Sequence, residues 1–165
     1  LGYIIGEDKL FKGLRRYYNE WKFKHPDEYD FLRIMEKESG IELDWYIDYW
    51  VKTTHQIDYS FEINEIDQNK ISVSINRIGK MPMPIEVEVL YEDFSAENYY
   101  IPLSIMRGEK DNSDNKLIIL EDWEWVNESY QFDLDISDKK IKKIEINSSG
   151  KMADVDKSNN LVEFE

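Results

Sequence analysis

Near Ile57 the spacing of apolar residues changes from helical to alternating. That switch restricts the chain to a helical piece joined to a piece built from strands, because the two periods place side chains on incompatible faces. Before it, Leu10, Phe11, Leu14, Tyr17, Tyr18 and Trp21 recur at helical spacing, and Glu7, Asp8, Lys12, Arg15, Arg16 and Glu20 fill the other face. The pattern predicts an amphipathic helix over about residues 7–21, and the opening LGYIIG reads as the tail of an earlier one. Pro26-Asp27 then interrupts the chain. Asp27 is placed to cap a second helix, with Asp30 three residues on as in a weak capping box. That helix carries Phe31, Leu32, Ile34 and Met35, and Gly40 supplies its left-handed stop. Asp44 is expected to cap a third helix running to about Val51. Trp45, Tyr46, Ile47, Tyr49, Trp50 and Val51 nearly encircle it, so it should be covered on several sides.

From Ile57 onward the apolar residues alternate: Tyr59, Phe61, Ile63; Ile71, Val73, Ile75; Ile85, Val87, Val89, Tyr91; Tyr130, Phe132, Leu134, Ile136; Ile144, Ile146. Tyr99 to Leu103 and Lys116 to Leu120 are less regular candidates. Asp67-Gln68-Asn69, Met81-Pro82-Met83-Pro84, Asp111-Asn112-Ser113-Asp114 and Ser137-Asp138 supply turn chemistry between the runs. Seven short runs at this spacing predict an antiparallel sandwich with polar outer faces. The expected fold class is therefore α+β, a short helical segment over residues 1–56 followed by an antiparallel β-sandwich over residues 57–165.

Charge and composition narrow the functions. The chain holds 21 basic and 35 acidic residues among 165, a formal net charge of −14. Residues 57–165 carry most of that surplus. Such a field repels phosphate backbones and anionic lipid, so nucleic acid is not an expected partner. No cysteine is present, which removes disulfides, thiolate ligands and thiol nucleophiles. No window approaches the ~18 apolar residues of a membrane span. Leu1 is not an initiator methionine, and the expectation is that the natural N-terminus lies upstream.

Individual motifs offer little catalytic chemistry. A zinc helix of the H-E-x-x-H type needs two imidazoles one turn apart. The only histidines, His25 and His55, lie 30 residues apart, and His25-Pro26-Asp27-Glu28-Tyr29 departs from the pattern at its second and fifth positions. Both are expected to be surface or helix-junction residues. Ser148-Ser149-Gly150 lacks the following helix of a nucleophile elbow, and no glycine-rich phosphate loop occurs. From Asp154, oxygen side chains fall at positions 1, 3 and 5 and Glu165 at position 12, as in a calcium loop. However, Asn159 replaces the required glycine and no helix is predicted before it, so a solvated C-terminal turn is favoured. Trp123 and Trp125 could stand on one side of a strand as a sugar platform, against the reading that this face is core. No catalytic, cofactor-binding or metal-binding residue is assigned.

Four segments carry a family likeness: Leu1 to Glu7, Phe11-Lys12-Gly13-Leu14-Arg15-Arg16-Tyr17-Tyr18, Asp30 to Glu36, and Ser39-Gly40-Ile41-Glu42-Leu43-Asp44-Trp45-Tyr46-Ile47-Asp48-Tyr49-Trp50-Val51. Together they resemble the end of the catalytic domain in gluzincin zinc aminopeptidases of the aminopeptidase N and leukotriene hydrolase family. Ile78 to Ile85, Met106-Arg107-Gly108-Glu109 and Gly150 to Asp156 look like bacterial members of the group. The resemblance implies that residues 1–56 end a catalytic helical bundle and that a sandwich follows to brace it. It also implies a parent that uses zinc and a glutamate base to hydrolyse N-terminal residues from peptides. Its partners would be the parent's remaining domains and peptide substrates. The family's zinc motif, amine-gripping motif and catalytic tyrosine would all precede Leu1, so no catalytic residue carries over and this piece alone should be inactive. A cut bundle face would favour self-association. The alternative is a stand-alone carbohydrate- or protein-binding sandwich with a helical cap.

Overall fold

The computed structural model describes residues 1–164, with helices first and strands after. Helix α1 spans Gly2–Ile5, α2 Glu7–Trp21 and α3 Glu28–Ser39. The predicted start of α3 is built as expected: Asp27 Oδ1 accepts from the Asp30 amide at 3.0 Å, and Asp30 Oδ2 accepts from the Asp27 amide at 3.2 Å. Gly40 ends that helix at φ 76°, a left-handed conformation that costs a side chain ~1–2 kcal/mol.

The third helix differs from its prediction. Asp44 is its first helical residue and not its cap, since Leu43 occupies the capping position. The Leu43 amide instead donates across to Glu36 Oε1 at 2.8 Å. Helix α4 covers only Asp44–Tyr46, and the chain widens into a π-turn over Ile47–Val51. The extra residue in this turn lets aromatic side chains face in more directions than a regular helix allows. Trp45 and Ile47 are buried, while Tyr46 and Trp50 stack with centroids 5.5 Å apart.

Among the described residues eight strands form two sheets. Strands β1 (Tyr59–Asp67), β2 (Lys70–Arg77) and β6 (Ser129–Asp135) make one, in the order β1-β2-β6. Strands β3 (Ile85–Tyr91), β4 (Ala96–Ile101), β5 (Ile118–Ile119), β7 (Ile141–Ile146) and β8 (Leu161–Glu163) make the other, in the order β5-β4-β3-β7-β8. All pairs are antiparallel except β4 with β5, a parallel contact of two residues. Strand β8 lay in the segment expected to be a solvated turn. It is too short to show a period, and only pairing with β7 defines it.

The two inner faces and the helices share one hydrophobic cluster. Val73, Ile75, Val87, Val89 and Ile144 from the sheets meet Ile4, Ile5, Met35, Leu43 and Ile47 from the helical segment. All five methionines, Met35, Met81, Met83, Met106 and Met152, are buried in it, where an unbranched flexible chain fills irregular gaps between unlike elements. Tyr3 fastens α1 to the start of β3: its hydroxyl donates to the Pro84 carbonyl and accepts from the Glu86 amide, each at 3.1 Å. Burial holds its phenol well above the ordinary tyrosine range, and the nearby Glu86 charge adds to the effect.

Candidate functional site

Of the candidate residues singled out in the sequence, His55 and Trp125 come to one cleft, on either side of Tyr49, and the others do not join them. His25 and His55 are both exposed, His25 between α2 and α3 and His55 after the π-turn. Among the described residues one group of carboxylates draws together, Glu36, Glu42 and Asp44, whose oxygens lie within 4.8 Å of one another. An all-carboxylate set suits a hard cation better than zinc, which favours nitrogen and sulfur ligands. One of its oxygens already accepts the Leu43 amide. Burial raises the Glu36 pKa and the neighbouring acids raise it further, against the lowering effect of that amide.

The loop from Asp154 has its own structural employment. Asp154 is buried, with Oδ2 accepting from the Tyr59 amide at 3.1 Å and Oδ1 from the Asp156 amide at 3.0 Å. Asp156 in turn accepts from Ser158. These carboxylates therefore close turns and anchor the segment beside β1. Glu165, the proposed twelfth position, lies outside the described residues. The tryptophan pair is also divided: Trp123 is 2% exposed, with its indole N–H donating to the Asn127 carbonyl at 3.1 Å, so the two rings form no common platform.

Two of the exposed surfaces bear on function. The first is a side of α2. Gly13 lies so close to α3 that a Cβ there would meet Met35 Sδ at 2.5 Å, and Tyr17 packs edge-on to Phe31 with centroids 5.2 Å apart. Lys12 and Arg16 reach Glu38 on α3 at 2.9 Å each. Round the helix from this contact, Phe11 is 55%, Leu14 39% and Tyr18 65% exposed. They stand at i, i+3 and i+7, the spacing of a packing seam, so α3 covers only part of the apolar stripe.

The second surface is a cleft of about 380 Å³ where the π-turn, the end of β2 and the connection from β5 to β6 meet. The Arg77 guanidinium lies 3.7 Å above the Trp125 ring centroid, and its Nη1 donates to the Trp125 carbonyl at 2.6 Å. Trp125 packs edge-on to Tyr49 at 5.9 Å, and its indole N–H donates to the Tyr49 hydroxyl at 3.1 Å. His55 stands beside Tyr49 with ring centroids 6.1 Å apart. Each partner comes from a different element, so neither local period nor any short motif in the sequence signals the group. Its one local trace is Gly79 on the rim, pressed against the backbone of residues 56–58.

No family model matches the chain, and no curated protein matches it. Among the described residues no helix is long and apolar enough to cross a membrane.

Proposed function

We propose that the chain is the non-catalytic C-terminal part of a zinc-dependent aminopeptidase, in which the sandwich holds the helical segment against a catalytic unit. The observation that carries this reading is the uncovered side of α2. Phe11, Leu14 and Tyr18 present a seam of the kind that a further helix fills, on a helix already fixed from its other side by Gly13 and Glu38. The likeness of residues 1–51 to the end of a gluzincin catalytic domain names what would fill it. In such a parent, bound zinc supplies Lewis acidity and an activated water. No residue described here has a place in that step, and the role of this chain is to position.

The test compares two products. The isolated chain should retain no stoichiometric zinc and should not cleave an aminoacyl-anilide above blank. A longer product that includes the coding sequence upstream of Leu1 should retain zinc and cleave the anilide, and Leu14→Glu within it should lower its stability. Hydrolysis by the isolated chain, or an upstream reading frame without H-E-x-x-H, would overturn the proposal. A second reading, a stand-alone binding module, is favoured by one feature, the cleft at Trp125.

A further inference from the structure

We propose that the cleft between Tyr49, Arg77 and Trp125 binds a carboxylate carried on an aromatic or apolar body. The inference stands apart from the aminopeptidase reading, since it concerns a different surface and a different chemistry.

Arg77 is the central group. Acids outnumber basic residues 35 to 21 in this chain, yet Arg77 forms no ion pair among the described residues, and the only hydrogen bond of its side chain there goes to a backbone carbonyl. Stacking on the indole and that single bond fix the plane of the guanidinium while leaving its other N–H donors without a protein acceptor. A guanidinium held in this way is prepared for a carboxylate, whose two oxygens match its fork, and it has little ordering left to lose on binding.

The surroundings favour the same ligand. Lys80 and His55 line the cleft with Arg77, and Glu128 is the only acid among its lining residues, so the local balance of charge is reversed from that of the molecule as a whole. Tyr49 and Trp125 are locked to one another and offer an apolar wall. A volume of about 380 Å³ falls in the range of small-molecule sites. A single fork within a strongly acidic protein suits a singly charged planar anion better than a phosphate, which usually gathers several cations or backbone amides.

The test is a titration of the full chain, labelled with nitrogen-15 and followed through the indole N–H of Trp125 and the side-chain N–H of Arg77. N-acetylphenylalanine should produce saturable shifts with a dissociation constant on the order of 1 mM, as expected for a ligand of this size. Benzoate should compete for the same site, and the stronger of the two would distinguish a free aromatic acid from a peptide end as the source. N-acetylphenylalaninamide, which keeps the ring and loses the charge, should bind at least tenfold more weakly. Arg77→Lys should weaken binding about tenfold and Arg77→Gln should abolish it. If Arg77→Gln fails to fold, exposed Lys80→Gln serves in its place, with affinity lowered two- to threefold. Equal binding of the amide, equal saturable binding of inorganic phosphate, absence of saturation at 50-fold the expected constant, or titrations unchanged in a folded Arg77→Gln would each overturn the proposal.

Discussion

Gly79→Ala should be the most damaging small substitution on the rim of the cleft. Residues 78–81 are joined to residues 56–58 by three backbone hydrogen bonds: Ile78 and Gly79 amides to the Asp58 carbonyl at 2.9 and 2.8 Å, and the Met81 amide to the Gln56 carbonyl at 3.2 Å. A Cβ on Gly79 would lie 2.7 Å from the Asp58 nitrogen and closer still to the Gln56 carbonyl oxygen. Both are backbone atoms and cannot rotate away, so the two segments must separate by about 0.5–1 Å to restore ordinary contact. Overpacking of this kind costs about 1–3 kcal/mol, and each stretched hydrogen bond forfeits up to ~1 kcal/mol. Allowing for partial relaxation, the loss should be about 2–4 kcal/mol, which lowers Tm by roughly 4–16 °C in a chain of this size. Gly150→Ala is the control. It has φ 67° and no neighbour within 4 Å of the new Cβ, so conformational strain alone should cost ~1–2 kcal/mol. Urea denaturation of both variants, with amide exchange at residues 78, 79 and 81, checks the reasoning. A Gly79→Ala protein within 0.5 kcal/mol of the parent, or more stable than Gly150→Ala, refutes it.

Tyr59→Phe should cost about 1–3 kcal/mol in chemical denaturation, because the buried hydroxyl donates to the Met81 carbonyl at 3.2 Å and accepts from the Met83 amide at 3.0 Å, and both would lose a partner. Burial raises the phenol pKa of Tyr3, Tyr59, Tyr91, Tyr99 and Tyr100. Their contribution to stability is therefore intact below the unfolded value of ~10 and lost as pH rises above it. Alkaline titration should show these rings ionising together with unfolding, and reversible ionisation near pH 10 in the folded chain would contradict this. Glu36 and Glu38 should behave oppositely. Burial raises Glu36, so its ionised form opposes folding, and Glu36→Gln should raise Tm at pH 7 with no gain once pH falls below the ordinary carboxylate range. Hydrogen bonds from Lys12 and Arg16 lower Glu38, so Glu38→Gln should lower Tm at pH 7 and converge with the parent as pH falls through its depressed value. Leu14→Glu should leave the isolated chain's Tm within ~0.5 kcal/mol of equivalent stability and reduce self-association by light scattering. Unchanged association would remove α2 from that role.

The helices were legible wherever a local rule sufficed. Spacing placed α2, and the Asp27–Asp30 box and Gly40 bounded α3, because caps and stops act over four or five residues. Alternation likewise revealed the long strands, whose buried faces are decided by period two. Tertiary structure decided what those rules cannot reach. It widened the expected third helix into a π-turn so that its rings could meet partners on several sides, and it made a strand of Leu161–Glu163 through pairing with β7. It also turned Asp154 inward to the Tyr59 amide, 95 residues away in sequence, and brought Tyr49, Arg77 and Trp125 together from separate elements. Period and capping are properties of neighbours along the chain. Partners across the fold become neighbours only once burial of the shared core has fixed where each element lies.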